Sequence, residues 1–280
     1  MGHLRLGRLP RTGKWRDVVG LVGGGGSAAQ VADATLDAAE GQFAGADPAI
    51  VYSVWLLTQL PDAAKSPDFV GALAQLGVSV RPGASASELA SAVGRAVDEH
   101  LSEAVRPRSD VGEMARLAAV ETLAHHTRTT QLGMFPRQEP AGPAVGEAIS
   151  SIGRPAAMRA PGSSEDAQAA VARLTSPQRF GALARDFFAR LTERVLTYYV
   201  SKELPLHVGS GQRFGSLDEQ QRFQEAVGVH AHEAARIVEE FAGGWYSKAR
   251  FEHGLTEERT EKFVAYAMKK MRGELRRGAT

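Results

Sequence analysis

Apolar residues recur along most of the chain at three- and four-residue intervals, the spacing of one helix face rather than the alternation of a strand. Ser27 opens an Ala-rich periodic run to about Phe43. Asp47-Pro48 sets a capping carboxylate before a proline at the first helical position, and Ile50, Val51, Val54, Trp55, Leu57 and Leu60 follow. The stretch Ala49 to Leu60 predicts a buried core helix, being shorter than the ~20 apolar residues of a membrane span. Ser66-Pro67 repeats the capping device, with Gly77 as its stop. Ser85 or Ser87 opens another helix, with Leu89, Val93, Ala96, Val97 and His100 on one side, and Asp110 a fifth, to about His125.

Residues 131–163 then hold five Pro and five Gly, with one possible helical turn at Glu147 to Ile152, and read as a linker. Beyond it, a short helix over Ser164 to Leu174 precedes one from Ser176-Pro177 to about Leu204, with Phe180, Leu183, Phe187, Leu191, Val195 and Tyr199 on its apolar face. Ser216 and Glu219 form a capping-box pair for a helix to Phe241, which Gly243-Gly244 would end. Thr256 opens the last helix, with glutamates early and basic residues late, as the helix dipole favours. Only Asp17 to Val22 and Leu76 to Val80 have strand-like composition, and neither has a hairpin partner. The pattern predicts an all-α protein in two helical lobes: residues 1–130 with a basic N-terminal arm, a linker over 131–163, and residues 164–280.

Composition narrows the chemistry. The absence of cysteine excludes disulfides, thiolate zinc sites and Cys nucleophiles. Met1 to Pro10 lacks the apolar core of an export signal, so the chain reads as a cytoplasmic protein with no membrane segment. The net charge of +1 hides an uneven distribution. Residues 1–16 carry Arg5, Arg8, Arg11, Lys14 and Arg16 without an acid, residues 17–130 carry 7 basic against 14 acidic side chains, and residues 262–280 carry six against one. Two basic ends around an acidic first half could bind an anionic partner or pair with each other's lobes.

No catalytic constellation or cofactor motif emerges. Gly23 to Gly26 follows a possible strand and precedes a helix, as a dinucleotide-binding turn would, but Ala46-Asp47-Pro48 stands where the second strand and its acid belong, and no Gly-Lys-Ser/Thr follows. His230-Ala231-His232-Glu233 is the most metal-like cluster. His230 continues the apolar series Phe223, Val227, Ala234, Ile237 and Phe241, and so is expected to face the core. His232 lies about 200° from it, so both imidazoles cannot hold one ion from an intact helix. A metal-dependent enzyme at His230 and Glu233 is the weakest of three readings, and a packing histidine with no bound metal is preferred. His125-His126 fall near an expected helix C-terminus, where a protonated imidazole is favoured.

Two surfaces remain as candidates. Phe241-Ala242-Gly243-Gly244-Trp245-Tyr246-Ser247-Lys248 releases the chain beside two large aromatics, so Trp245, Tyr246, Lys248 and Phe251 form a candidate protein-docking surface, or equally a plug between helices. In the last helix, Lys262, Lys269, Lys270, Arg272, Arg276 and Arg277 fall opposite Val264, Ala267, Met268, Met271 and Leu275, with Tyr266 among the cations. That combination suits phosphate contact with base stacking, and equally a solvated face.

The segments FGALARDFFAR (Phe180 to Arg190), EFAGGWYSK (ending at Lys248) and Phe263 to Leu275 resemble the C-terminal half of a group of bacterial α-helical proteins with no assigned activity. The resemblance spans roughly residues 176–277; it implies that this part is a unit and carries over no catalytic residue or cofactor. The sequence thus points first to a non-enzymatic accessory or adaptor subunit of a bacterial multi-protein assembly, and second to sequence-independent nucleic-acid binding by the last helix.

Overall fold

A computed structural model describes residues 12–39, 47–103, 110–131, 167–252 and 254–279. The fold is all-α, as the periodicity predicts, and the described residues contain no β-strand. The helices are α1 (Gly13–Gly23), α2 (Ala28–Ala38), α3 (Pro48–Ala63), α4 (Phe69–Gln75), α5 (Ala86–Glu103), α6 (Asp110–Gln131), α7 (Ala167–Ala172), α8 (Pro177–Glu203), α9 (Leu217–Ala234), α10 (Arg236–Phe251) and α11 (Glu257–Ala279).

Most helix starts are set by the side chains expected to set them. The Ser27 hydroxyl accepts from the Gln30 amide while the Gln30 side chain accepts from Ser27 N. Ser85 and Glu88 make the same reciprocal pair at 3.3 and 2.7 Å. Asp47 and Ser176 cap α3 and α8 ahead of Pro48 and Pro177. α4 departs from expectation: Asp68, not Ser66, is its cap, accepting from Gly71 N at 2.9 Å. Asp17 to Val22 lies within α1, and residues 78–80 are irregular.

The largest departure is at Gly243-Gly244. The chain bends at Ala235, and α10 then runs through both glycines to Phe251. Here glycine serves contact, not termination. A Cβ on Gly243 would lie 2.7 Å from the Pro177 carbonyl oxygen, and one on Gly181 would lie 3.2 Å from the Glu239 carbonyl oxygen. The two glycines let α10 and α8 cross backbone against backbone.

α8 runs through the middle of the molecule, packed against α6, α9 and α10. Its Phe180, Leu183, Phe187, Leu191, Val195 and Tyr199 are all buried, the face read from the sequence. α3 is buried almost all round, as a core helix should be. One continuous hydrophobic core joins Trp15 and Val18 of α1, α3, α5 and α6 to α8, α10 and Met271 of α11. Polar ties cross the same boundary. Gln168 Nε2 donates to the carbonyls of Ala64 and Ser66 at 3.0 and 2.9 Å, Trp55 Nε1 donates to Leu255 O at 2.9 Å, and Arg250 reaches Asp62 at 2.5 Å. The expected separation into two lobes is not confirmed among the described helices, because one core cluster runs through both groups. The linker over 131–163, apart from Gln131 at the end of α6, lies outside the described residues, as does the basic N-terminal stretch up to residue 11, while its Lys14 and Arg16 lie in α1.

Candidate nucleic-acid interface

Thr256 starts α11: its hydroxyl accepts from Arg259 N at 3.3 Å. The inward face is a continuous apolar strip of Phe263, Val264, Ala267, Met268, Met271 and Leu275. That burial fixes the helix rotation and turns Lys262, Tyr266, Lys269, Lys270, Arg276 and Arg277 to solvent. Lys262, Lys269 and Arg276 are seven residues apart, so they follow one another along the ridge at roughly 10.5 Å intervals. Arg272 falls on the flank and is half-buried.

The row is not uniformly unpaired. Lys262 Nζ is 2.6 Å from Glu258, and Arg277 pairs with Glu274. Arg276 faces Asp33 on α2, whose carboxyl is nonetheless raised above its ordinary range because burial outweighs the arginine's pull. Lys14 of α1 is 3.1 Å from Asp37, one turn further along α2. Lys14 and Arg276 thus both lie against acidic residues of α2. Lys269 has no acidic partner among the described residues. Tyr266 is 46% exposed, set at 80° against the Phe241 ring 4.9 Å away, with Lys270 Nζ 5.3 Å over its own ring.

The aromatic segment on α10 divides. Tyr246 is fully buried, stacked 4.3 Å from Phe180, and burial pushes its phenol up to about 12. Tyr246 is thus a core residue and not part of a docking surface, because uninterrupted α10 points it inward. Trp245 is half-buried and stacks 4.2 Å from Phe263. Phe251 is 86% exposed, and Lys248 is exposed, 3.7 Å from Glu252.

His230 lies at the edge of the core rather than in it, half-buried, its Nδ1 3.5 Å from Glu233. His232 turns to Glu193 of α8 at 2.9 Å, a hydrogen bond that lowers the Glu193 carboxyl. Among the described residues no group of three or more His, Asp or Glu is placed to hold a metal ion. His126 is corrected as well. α6 continues past it to Gln131, and the imidazole is largely but not fully buried, 3.6 Å from Asp186, where desolvation lowers it to about 4.

Gly23 to Gly26 closes α1 rather than following a strand, and Gly25 holds a positive φ of 83°. Arg213 fills the turn, donating to the carbonyls of Leu21, Val22 and Gly26 at 3.0, 2.6 and 2.5 Å, with its guanidinium 4.2 Å from the Phe223 ring. It satisfies the Val22 and Gly26 carbonyls where the helix ends and shares the Leu21 carbonyl with the Gly26 amide. Sequence reasoning missed Arg213, because nothing local in a Gly/Ser-rich loop distinguishes a structural arginine. It missed equally the Glu121, Asp186, Arg190 and Arg194 network between α6 and α8, although the four-residue steps along α8 could have suggested it. No described helix is long and apolar enough to cross a membrane. No family model, curated protein sequence or solved structure matches the chain.

Proposed function

We propose that this chain is a binding protein that contacts nucleic acid without reading its sequence, along the outward ridge of α11. The observation that carries the reading is the exposed row of Lys262, Lys269 and Arg276 on one helix, flanked by Tyr266, Lys270 and Arg277. The ion pairs on the row do not argue against it. Exposed i,i+4 pairs such as Lys262–Glu258 contribute little, because solvent screens both charges, and a polyphosphate displaces them with release of its counterions.

A second reading, an adaptor that docks a protein partner of a larger assembly, draws on one observation. Phe251 presents nearly its whole ring to solvent beside Lys248. A lone exposed ring is a smaller signal than an ordered row of cations, and burial removes Tyr246 from that surface.

One experiment separates the two. The chain is isolated from its native host beside a variant with Lys262→Glu, Lys269→Glu and Lys270→Glu, and a second variant with Phe251→Ser. Nucleic acid should accompany the unaltered chain and the Phe251 variant, should leave at high salt, and should be missing from the charge-reversed one. A stoichiometric protein lost only with Phe251→Ser would transfer the function to the adaptor surface.

A further inference from the structure

Resting on that reading, we infer that the ligand of the α11 ridge is a single strand and not a duplex. The first reason is steric. α11 is flanked on both sides. On one side α10 closes against it through Phe241 on Tyr266 and Trp245 on Phe263. On the other, α2 packs through Ala32 and Leu36, which share a core cluster with Leu275. Packed helix axes lie roughly 8–10 Å apart, so the three helices present a surface far wider than the ~12 Å major groove. α11 therefore cannot enter a duplex as a reading helix. It can touch only backbone phosphates there, while base faces stay stacked out of reach.

The second reason is the make-up of the ridge. Tyr266 stands between Lys262 and Lys269, and Gly273 stands between Lys269 and Arg276. A Cβ on Gly273 would meet nothing within 4 Å, so no side chain rises from the ridge there, and only Arg277 Nε reaches back to the Gly273 carbonyl at 3.3 Å. Cations thus alternate with, first, a flat ring and, second, an open stretch of helix. A single strand can use both kinds of position, phosphates on the cations and an unstacked base on the ring, whereas a duplex uses only the first. Phe241 holds the Tyr266 ring edge-to-face, so the ring is positioned before any ligand arrives. The Lys270 ammonium now over that ring moves to a phosphate when a base replaces it.

The test is fluorescence anisotropy at about 50 mM salt with a labelled oligothymidylate of about 20 nucleotides and a duplex of equal length. Two variants accompany the unaltered chain. Tyr266→Leu keeps an apolar cover over Phe241 but removes the flat ring, and Tyr266→Phe keeps the ring. The strand should bind at least about tenfold more tightly than the duplex, Tyr266→Leu should lose roughly 5- to 100-fold on the strand alone, and Tyr266→Phe should stay within about twofold. Equal or tighter duplex binding, or a strand affinity indifferent to Tyr266→Leu, overturns the single-strand inference and leaves α11 as a general polyanion surface. Failure of both ligands to bind the unaltered chain removes the function proposed above. Strand preference is measured on the unaltered chain, so it decides the question even where Tyr266→Leu lowers stability.

Discussion

His126 is largely covered between α6 and α8, with Asp186 3.6 Å from its Nε2, close enough for a carboxylate to favour the imidazolium. Desolvation nevertheless outweighs the carboxylate and lowers the group to about 4. In the unfolded chain an ordinary histidine titrates near 6.5, so between about pH 6.5 and 4 the unfolded state binds the extra proton and the fold does not. The folded form is therefore favoured in full above about pH 6.5, and that stability drains away as pH falls toward 4, by up to about 3 kcal/mol. Thermal unfolding followed from pH 7.5 to 4.5 should show this slope, and His126→Gln should flatten it. An unchanged slope in the variant would place the acid sensitivity elsewhere. This residue was misread from the sequence for a definite reason: the apolar pattern fades near His125, although α6 continues to Gln131. A helix that goes on without an apolar signal hides both its true end and the burial of the residues before it. Tyr246 was ambiguous in the same way, because a large aromatic has identical chemistry in a core and at an interface. Only the path of α10 decides between them.

Among the helices, caps were legible and glycines were not. Ser27, Asp47, Ser85, Ser176 and Ser216 start the helices they were expected to start, because a capping side chain acts within three residues of itself. Gly243-Gly244 looks the same whether it ends a helix or admits a neighbour, and the difference lies in Pro177, far off in sequence. The pair offers a matched test. Gly243→Ala forces a methyl group against the Pro177 carbonyl oxygen and should destabilise the fold by about 1–3 kcal/mol, as overpacking does. Gly244→Ala, one residue on, meets nothing within 4 Å and should stabilise α10 by about 0.5–1 kcal/mol through helix propensity. Denaturant midpoints of the two variants should move in opposite directions. Movement in the same direction would mean that the α8–α10 crossing is looser than its backbone contact implies. The candidate interface follows the same division: apart from half-buried Arg272, the outward residues of α11 were readable from period alone, while the helices at its flanks were not.

For the molecule as a whole, local pattern says least about how the groups of helices combine. Five prolines and five glycines over 131–163 separate two periodic stretches, and composition alone makes each look like a lobe. Burial among the described residues does not follow that division. Trp15 packs on Tyr199, α3 and α6 share the core of α8, and Gln168 of α7 is bonded to carbonyls at the end of α3. Neither group could fold alone without exposing the apolar face it now shares, at about 25 cal/mol for each Å² uncovered. Two chains covering residues 1–131 and 167–280 should therefore be poorly folded when made separately. Made together they should purify as a 1:1 complex with the helicity of the intact protein, since the contacts between them are those of one core. The intact chain should correspondingly unfold in one cooperative transition, with circular dichroism and tryptophan fluorescence coincident, because Trp15 and Trp55 lie in one fragment and Trp245 in the other. Fragments that each fold alone and ignore one another, or two resolved transitions, would restore the two-lobe arrangement. In that case α11 would also lose α2 as its flank, and the steric argument against a duplex would fall with it.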